Sequence, residues 1–340
     1  MIRASWLPLL LCALAVPVHA QMAAAPAHAS TAAVTLAPVK VTGVQPGPGL
    51  WKVSKGGHVL WVLGMLTPLP EHMQWRSAPA ERALAQSQEL LEVPAATLKL
   101  DTSAFGKLLL LPSAYDARMN PDDATLQKTL PPPVFARWQT LQSQYRVHGW
   151  GSAHWRPIVA ALELYKAALA RAGLTNSDEV ARAIEKLARR HGVKRTPVEY
   201  EVVIAHPHDA DETMRETQQQ DIDCLQQTMD VAARGTDMLA LRANAWSSGD
   251  IATLRSTEPE AAHEACVFDA MNADFAWQLG VHDLPARIDN TWLYAAQQAM
   301  TRNAVTFALL PMDRLLSPEG PLARLQAEGY VVQAPDEVEP

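Results

Sequence analysis

Cysteine is scarce, with three residues in a chain of 340. That is too few for a disulfide framework, and no Cys-x-x-Cys spacing exists to seed a structural zinc. Charged residues make up only 19%, which excludes a disordered acidic or basic tail protein. The net charge of −7 gives no basis for general nucleic-acid binding. Neither Gly-x-x-x-x-Gly-Lys-Ser/Thr nor Gly-x-Gly-x-x-Gly occurs, so nucleotide binding through those loops is not indicated. Gly-x-Ser-x-Gly is missing as well, and with it the strand-turn-helix elbow of a serine hydrolase. After residue 20, no apolar stretch reaches the roughly 18 residues that a membrane span requires.

What the chain has is apolar content, 48% of its residues, ample for a sizeable core. Residues 1–20 read as a secretory signal peptide. Arg3 supplies the positive start, Trp6 to Val16 the apolar run, and Val18-His19-Ala20 the small-x-small cleavage site. Residues 21–47, rich in Ala, Pro, Thr and Val, read as a flexible leader. An exported protein folds in an oxidising compartment, so Cys224 and Cys266 form a natural disulfide pair.

The folded part is expected over residues 48–335 as a single domain. Two apolar runs around Lys55-Gly56-Gly57 signal a hairpin. Ile158, Leu162, Tyr165 and Leu169 mark one face of a helix closed by Gly173. Asn176 with Glu179 reads as the cap of the next helix. Alternation through Val198, Tyr200, Val202 and Ile204 predicts a strand over Thr196–Ala205. From about Ala210 to Asn303 the pattern is helical, Val305–Leu310 is a strand, and Ser317-Pro318 opens a last helix. The expected fold class is mixed α/β: a sheet built from the N- and C-terminal segments, with a helix-rich middle insertion.

Several candidate clusters read as ordinary surface. Lys186, Arg189, Arg190, Lys194 and Arg195 form the one basic cluster, offset by Glu185, and read as a charged solvent face. His206-Pro207-His208-Asp209 reads as a solvated loop, as do His148 and His154 around Gly149-Trp150-Gly151.

Gly49-Leu50-Trp51-Lys52-Val53, Leu60-Trp61-Val62-Leu63-Gly64, Pro68-Leu69-Pro70 and Trp75-Arg76-Ser77 resemble the opening of TraB/GumN family proteins. Trp246 with Gly249-Asp250, Ala299-Met300-Thr301-Arg302-Asn303, and Gly320 through Gly329-Tyr330 resemble later elements of that family. The order and spacing of these segments carry the resemblance. Its Tiki branch implies metal-dependent proteolysis, with a site of two Gly-x-x-His motifs, a Glu and an Arg. Imidazole and carboxylate ligands would hold a divalent ion that activates water, and the Arg would stabilise negative charge.

This chain departs from that pattern where it matters. Gly64-Met65-Leu66-Thr67 puts Thr67 at the first His position, and Pro311-Met312-Asp313-Arg314 puts Arg314 at the second. A hydroxyl is a poor transition-metal ligand, and a guanidinium has no lone pair to donate. Glu92 and Arg302 match the family's Glu and Arg and are the candidate catalytic pair. Arg302 and Arg314, with Thr67 and Asn303, could form an anion pocket; the alternative is a helix-capping Arg302 and a solvated Arg314. No metal and no cofactor is expected. The leading expectation is a periplasmic or secreted binding or interaction protein without catalysis, its partner a protein or a small anionic ligand. The alternative is a divergent metal-dependent hydrolase.

Overall fold

The computed structural model describes residues 47–100, 118–204, 218–257 and 283–337. The predicted hairpin is present as β1 (Leu50–Lys55) and β2 (His58–Met65). Gly56 and Gly57 both take positive φ, +59° and +86°, the conformation a two-residue hairpin turn demands. The chain continues through β3 (Leu69–Pro70), α1 (Ala78–Ala85), β4 (Glu89–Leu91) and β5 (Ala95–Leu100). The helical middle holds α2 (Leu126–Thr129), α3 (Pro132–Tyr145) and α4 (Pro157–Arg171). Then come β6 (Leu174–Thr175), α5 (Glu179–His191), β7 (Lys194–Thr196) and β8 (Glu199–Ile204). Helices α6 (Gln218–Arg234), α7 (Asp237–Ser248) and α8 (Ile251–Ser256) precede α9 (Leu284–Arg302). The chain closes with β9 (Val305–Pro311), α10 (Met312–Leu316), α11 (Pro321–Ala327) and β10 (Val331–Gln333).

The main sheet has six strands in the order β10-β1-β2-β9-β4-β7. β2, β9, β4 and β7 run parallel; β1 pairs antiparallel with β2, and β10 antiparallel with β1. The fold is therefore mixed α/β, and both chain ends share one sheet. The middle contributes one edge strand, β7. β2 and β9 are central and covered on both faces, so they read as near-continuous apolar runs rather than alternating ones. Leu60, Leu63, Phe307 and Leu309 are fully buried there. Each such side chain stabilises the fold by about 1.5–3 kcal/mol.

Local chemistry moved three predicted boundaries. The Thr196–Ala205 strand is two strands, because Pro197 cannot donate to a ladder. β7 stays in the main sheet, while β8 pairs with β5 in a separate one. Asp178, not Asn176, precedes α5, and Glu179 is already helical. The last helix starts at Pro321 after Gly320 rather than at Ser317-Pro318. Pro at the first helical position is the same device the sequence suggested, used three residues later.

The helical middle builds a core of its own from α3, α4 and α6, including Trp138, Leu141, Leu164, Leu225 and Met229. α4 serves both cores: Tyr165 and Leu169 face the sheet side, and Ile158, Leu164 and Ala168 the helical side. The buried Arg156 just before α4 donates to Asp221 on α6 at 2.8 Å. No helix among the described residues is long and apolar enough to cross a membrane.

Two glycines fix the carboxyl ends of the central strands. A Cβ on Gly64 would lie 2.3 Å from Met312 Cε, so the end of β2 packs directly on the start of α10. A Cβ on Gly320 would lie 2.0 Å from the backbone oxygen of Arg314. Gly320→Ala is expected to destabilise the protein by about 3 kcal/mol, because a backbone atom must move. Gly64→Ala should cost less, since the Met312 side chain can turn away. Chemical denaturation of the two variants checks the order.

Candidate functional site

The two segments aligned with the family motifs end on neighbouring parallel strands. Gly64 pairs with Leu310 and Met65 with Pro311, so Thr67 and Arg314 each follow the carboxyl end of a central strand. Open α/β sheets place ligands beyond this edge. Two tryptophans hold the strand ends. Trp246 donates its indole N–H to Gly64 O at 2.7 Å, and Trp292 donates to Leu309 O at 2.9 Å. Both rings are fully buried. Glu92 belongs to the same edge: Leu91 pairs with Ala308, and the Glu92 N–H extends the ladder to Thr196 O.

Arg314 is committed to an internal partner. Its Nε donates to Asp289 Oδ1 at 3.2 Å and Oδ2 at 3.1 Å, and its Nη2 donates to Oδ2. Asp289 lies on α9 and is 3% exposed. Its hydrogen bonds hold the Arg314 pKa above the ordinary guanidinium value, against the opposing effect of burial, with Asp313 and Glu319 adding negative charge nearby. Thr67 is exposed on the loop after β2.

Arg302 and Asn303 sit at the other end of β9. β9 is seven residues long and ends on Pro311, so its two ends lie about 20 Å apart at the usual rise. Both meet Glu89, the first residue of β4. Asn303 Nδ2 donates to Glu89 Oε2 at 2.8 Å, and Arg302 Nη2 lies 3.3 Å from the same oxygen. Thr196 Oγ1 and Lys194 Nζ donate to Oε1 at 2.5 and 2.9 Å. Glu89 is 2% exposed. Burial pushes its pKa up, but the Thr196, Lys194, Asn303 and Arg302 hydrogen bonds outweigh it and bring the value from 4.5 down to about 2.

The structure thus divides the five predicted site residues. Thr67, Arg314 and Glu92 belong to the carboxyl edge, Arg302 and Asn303 to the amino edge. They do not assemble into a four-residue anion pocket, because β9 stands between its halves. Arg314 is not solvated but paired. Glu92 meets Arg195 at 2.6 Å, not Arg302, and Arg195 also reaches Glu185 at 2.8 Å. The basic cluster is largely neutralised in the same way, with Arg189 on Glu185, Arg190 on Glu81 and Lys194 on Glu89. His154 meets Asp123, a carboxylate 31 residues away in sequence. His206 to Asp209 and Cys266 lie outside the described residues.

Sequence reasoning missed Glu89 and Asp289. Asp289 carried a signal: it shares the helical face of Leu293, Ala296 and Met300, all buried. A carboxylate on an apolar face needs a cation from elsewhere. Glu89 carried none, since its four donors come from two segments more than 100 residues away in sequence.

The carboxyl edge does not suit the metal ion that the family's motifs would hold. Position 67 offers a hydroxyl, and position 314 offers a guanidinium already spent on the nearest buried carboxylate. Among the described residues, no three His, Cys, Asp or Glu side chains gather to hold a metal.

Fold and edge together define a mixed α/β protein whose two motif segments meet at adjacent strand ends. The chain belongs to the TraB/PrgY/gumN family, whose model matches residues 49–334. Comparison with curated proteins finds no match, and comparison with solved structures finds none.

The Glu89 cluster makes a pH prediction. A carboxyl held at about 2 contributes stability that is present above pH 4.5 and lost as pH falls towards 2. The contribution is about 3 kcal/mol at 1.36 kcal/mol per pH unit. Glu89→Gln should therefore cost about that much at pH 7 and progressively less below pH 4.5. Urea unfolding of both proteins across pH 2.5–7 (roughly the window set by the shift) checks the convergence.

Proposed function

We propose that this family member is exported, loses residues 1–20, and acts in the periplasm or outside the cell as a binding or interaction protein without catalysis. The observation that carries the reading is Arg314: at a motif position that calls for a metal ligand, the side chain is an ion-paired cation on Asp289. Thr67 at the partner position supports it. Both candidate arginines already face carboxylates, Arg302 on Glu89 and Arg314 on Asp289. That weighs towards a protein partner over a small anionic ligand.

A second reading, a divergent hydrolase of the same scaffold, draws on one observation. Glu92 stands at the carboxyl edge, where the family's chemistry would occur, and its side chain is 21% exposed. Purified mature protein, assayed on peptide and ester substrates with added zinc or manganese, separates the two. The binding reading expects no turnover above a Glu92→Ala control. Turnover that Glu92→Ala abolishes would establish the hydrolase.

Export also sets the redox state. Cys224 on α6 is 3% exposed within the helical core, a site suited to a permanent disulfide with Cys266. Peptide mapping of protein from an oxidising compartment should find the Cys224–Cys266 cross-linked peptide. Two alkylatable thiols would refute the pairing. Closing this loop should stabilise the protein by about 2–4 kcal/mol, read as the loss on reduction.

A further inference from the structure

Asp289 poses a problem that the fold must solve. It lies within the first two turns of α9, 3% exposed, on the helical face that also buries Leu293, Ala296 and Met300. An ionised carboxylate in such a place is strongly disfavoured unless a positive charge and hydrogen bonds reach it. We infer that the Arg314 guanidinium is a built-in cation for Asp289, filling at the carboxyl edge of β9 the role of positive centre that a bound metal would otherwise have. The inference rests on the lost-site reading of this edge and adds to it the residue that makes metal unnecessary.

The geometry fits a dedicated device. Nε and Nη2 together cover both carboxylate oxygens, the planar fork at which guanidinium surpasses an ammonium. The Arg314 backbone is fixed by the close approach of Gly320 to its carbonyl. Asp313 and Glu319, the other acids near it, reinforce the charge without taking Asp289's place. The pair ties α9 to the segment that follows β9. With Arg314 present, Asp289 is unavailable as a ligand. Without it, Asp289 is a buried carboxylate seeking a cation.

The test restores imidazoles and reads thermal stability with and without zinc. T67H/R314H should melt at least about 5 °C below the wild type in chelator, because Asp289 loses its partner. Zinc at saturating concentration should recover at least half of that loss, since a ligand that binds only the folded state raises Tm. Adding D289N should abolish the zinc response. A T67H/R314H protein as stable as wild type, unmoved by zinc, or equally responsive with D289N would overturn the inference. A second arm needs no metal. Arg314→Met should lower Tm, and D289L/R314M should restore most of it, because removing both charges removes the unpaired carboxylate. A double variant no better than Arg314→Met would count against the role. Hydrolytic turnover by the wild type would defeat the lost-site reading but leave these Tm outcomes standing.

Discussion

The parallel pairing of β2 with β9 is the constraint from which the rest follows. It joins residues 59–65 to residues 305–311 in continuous register. The pairing brings together segments some 240 residues apart, and for a flexible connection that is a logarithmic entropy cost that the buried strands must offset. Phe307, Leu309 and Leu310 on one strand and Leu60, Val62 and Leu63 on the other are fully buried, which is where that compensation comes from. Once the pair exists, its two edges are fixed. Residues that follow the strands, Thr67 and Arg314, share one edge. Residues that precede β9, Arg302 and Asn303, are committed to the other.

Among the described residues, each edge holds one buried carboxylate, and the two are satisfied differently. Glu89 collects four donors from β7 and from the turn between α9 and β9, two charged and two neutral. It knits β4, β7 and β9 together where the strands begin. Asp289 takes a single guanidinium along both oxygens. In both arrangements the cation faces a buried carboxylate, although the Lys194 and Arg302 side chains remain more than half exposed. A buried ion pair is weak evidence for net stability, yet removing one partner is costly, so each pair locks its local geometry. At the motif position of Arg314, the side chain is therefore engaged internally by Asp289.

Much of this was legible in the sequence, for reasons particular residues make plain. The hairpin was readable because Gly56-Gly57 permits only a few turns. α4 was readable because Ile158 to Leu169 repeats at helical spacing. The union of the chain ends in one sheet followed from strands at both termini around a helical middle. What escaped was tertiary. Pro197 divides a strongly alternating strand, which period alone conceals. Glu92 and Glu89 lie three residues apart on the same short strand segment, and only the register to β9 shows that Arg302 meets Glu89. The Arg314–Asp289 pair spans 25 residues and two changes of direction, beyond any local pattern. The substitution of the motif histidines, by contrast, needed no structure. The structure added what the replacing guanidinium does.

The most direct test of the account is the metal content of the wild-type mature protein. It would be equilibrated with zinc or manganese, freed of excess by dialysis, and measured by elemental mass spectrometry. An edge whose cation is Arg314 predicts far less than one metal ion per chain. Retention near one ion per chain would contradict the account, and would mean that ligands other than Thr67 and Arg314 rebuild a metal centre.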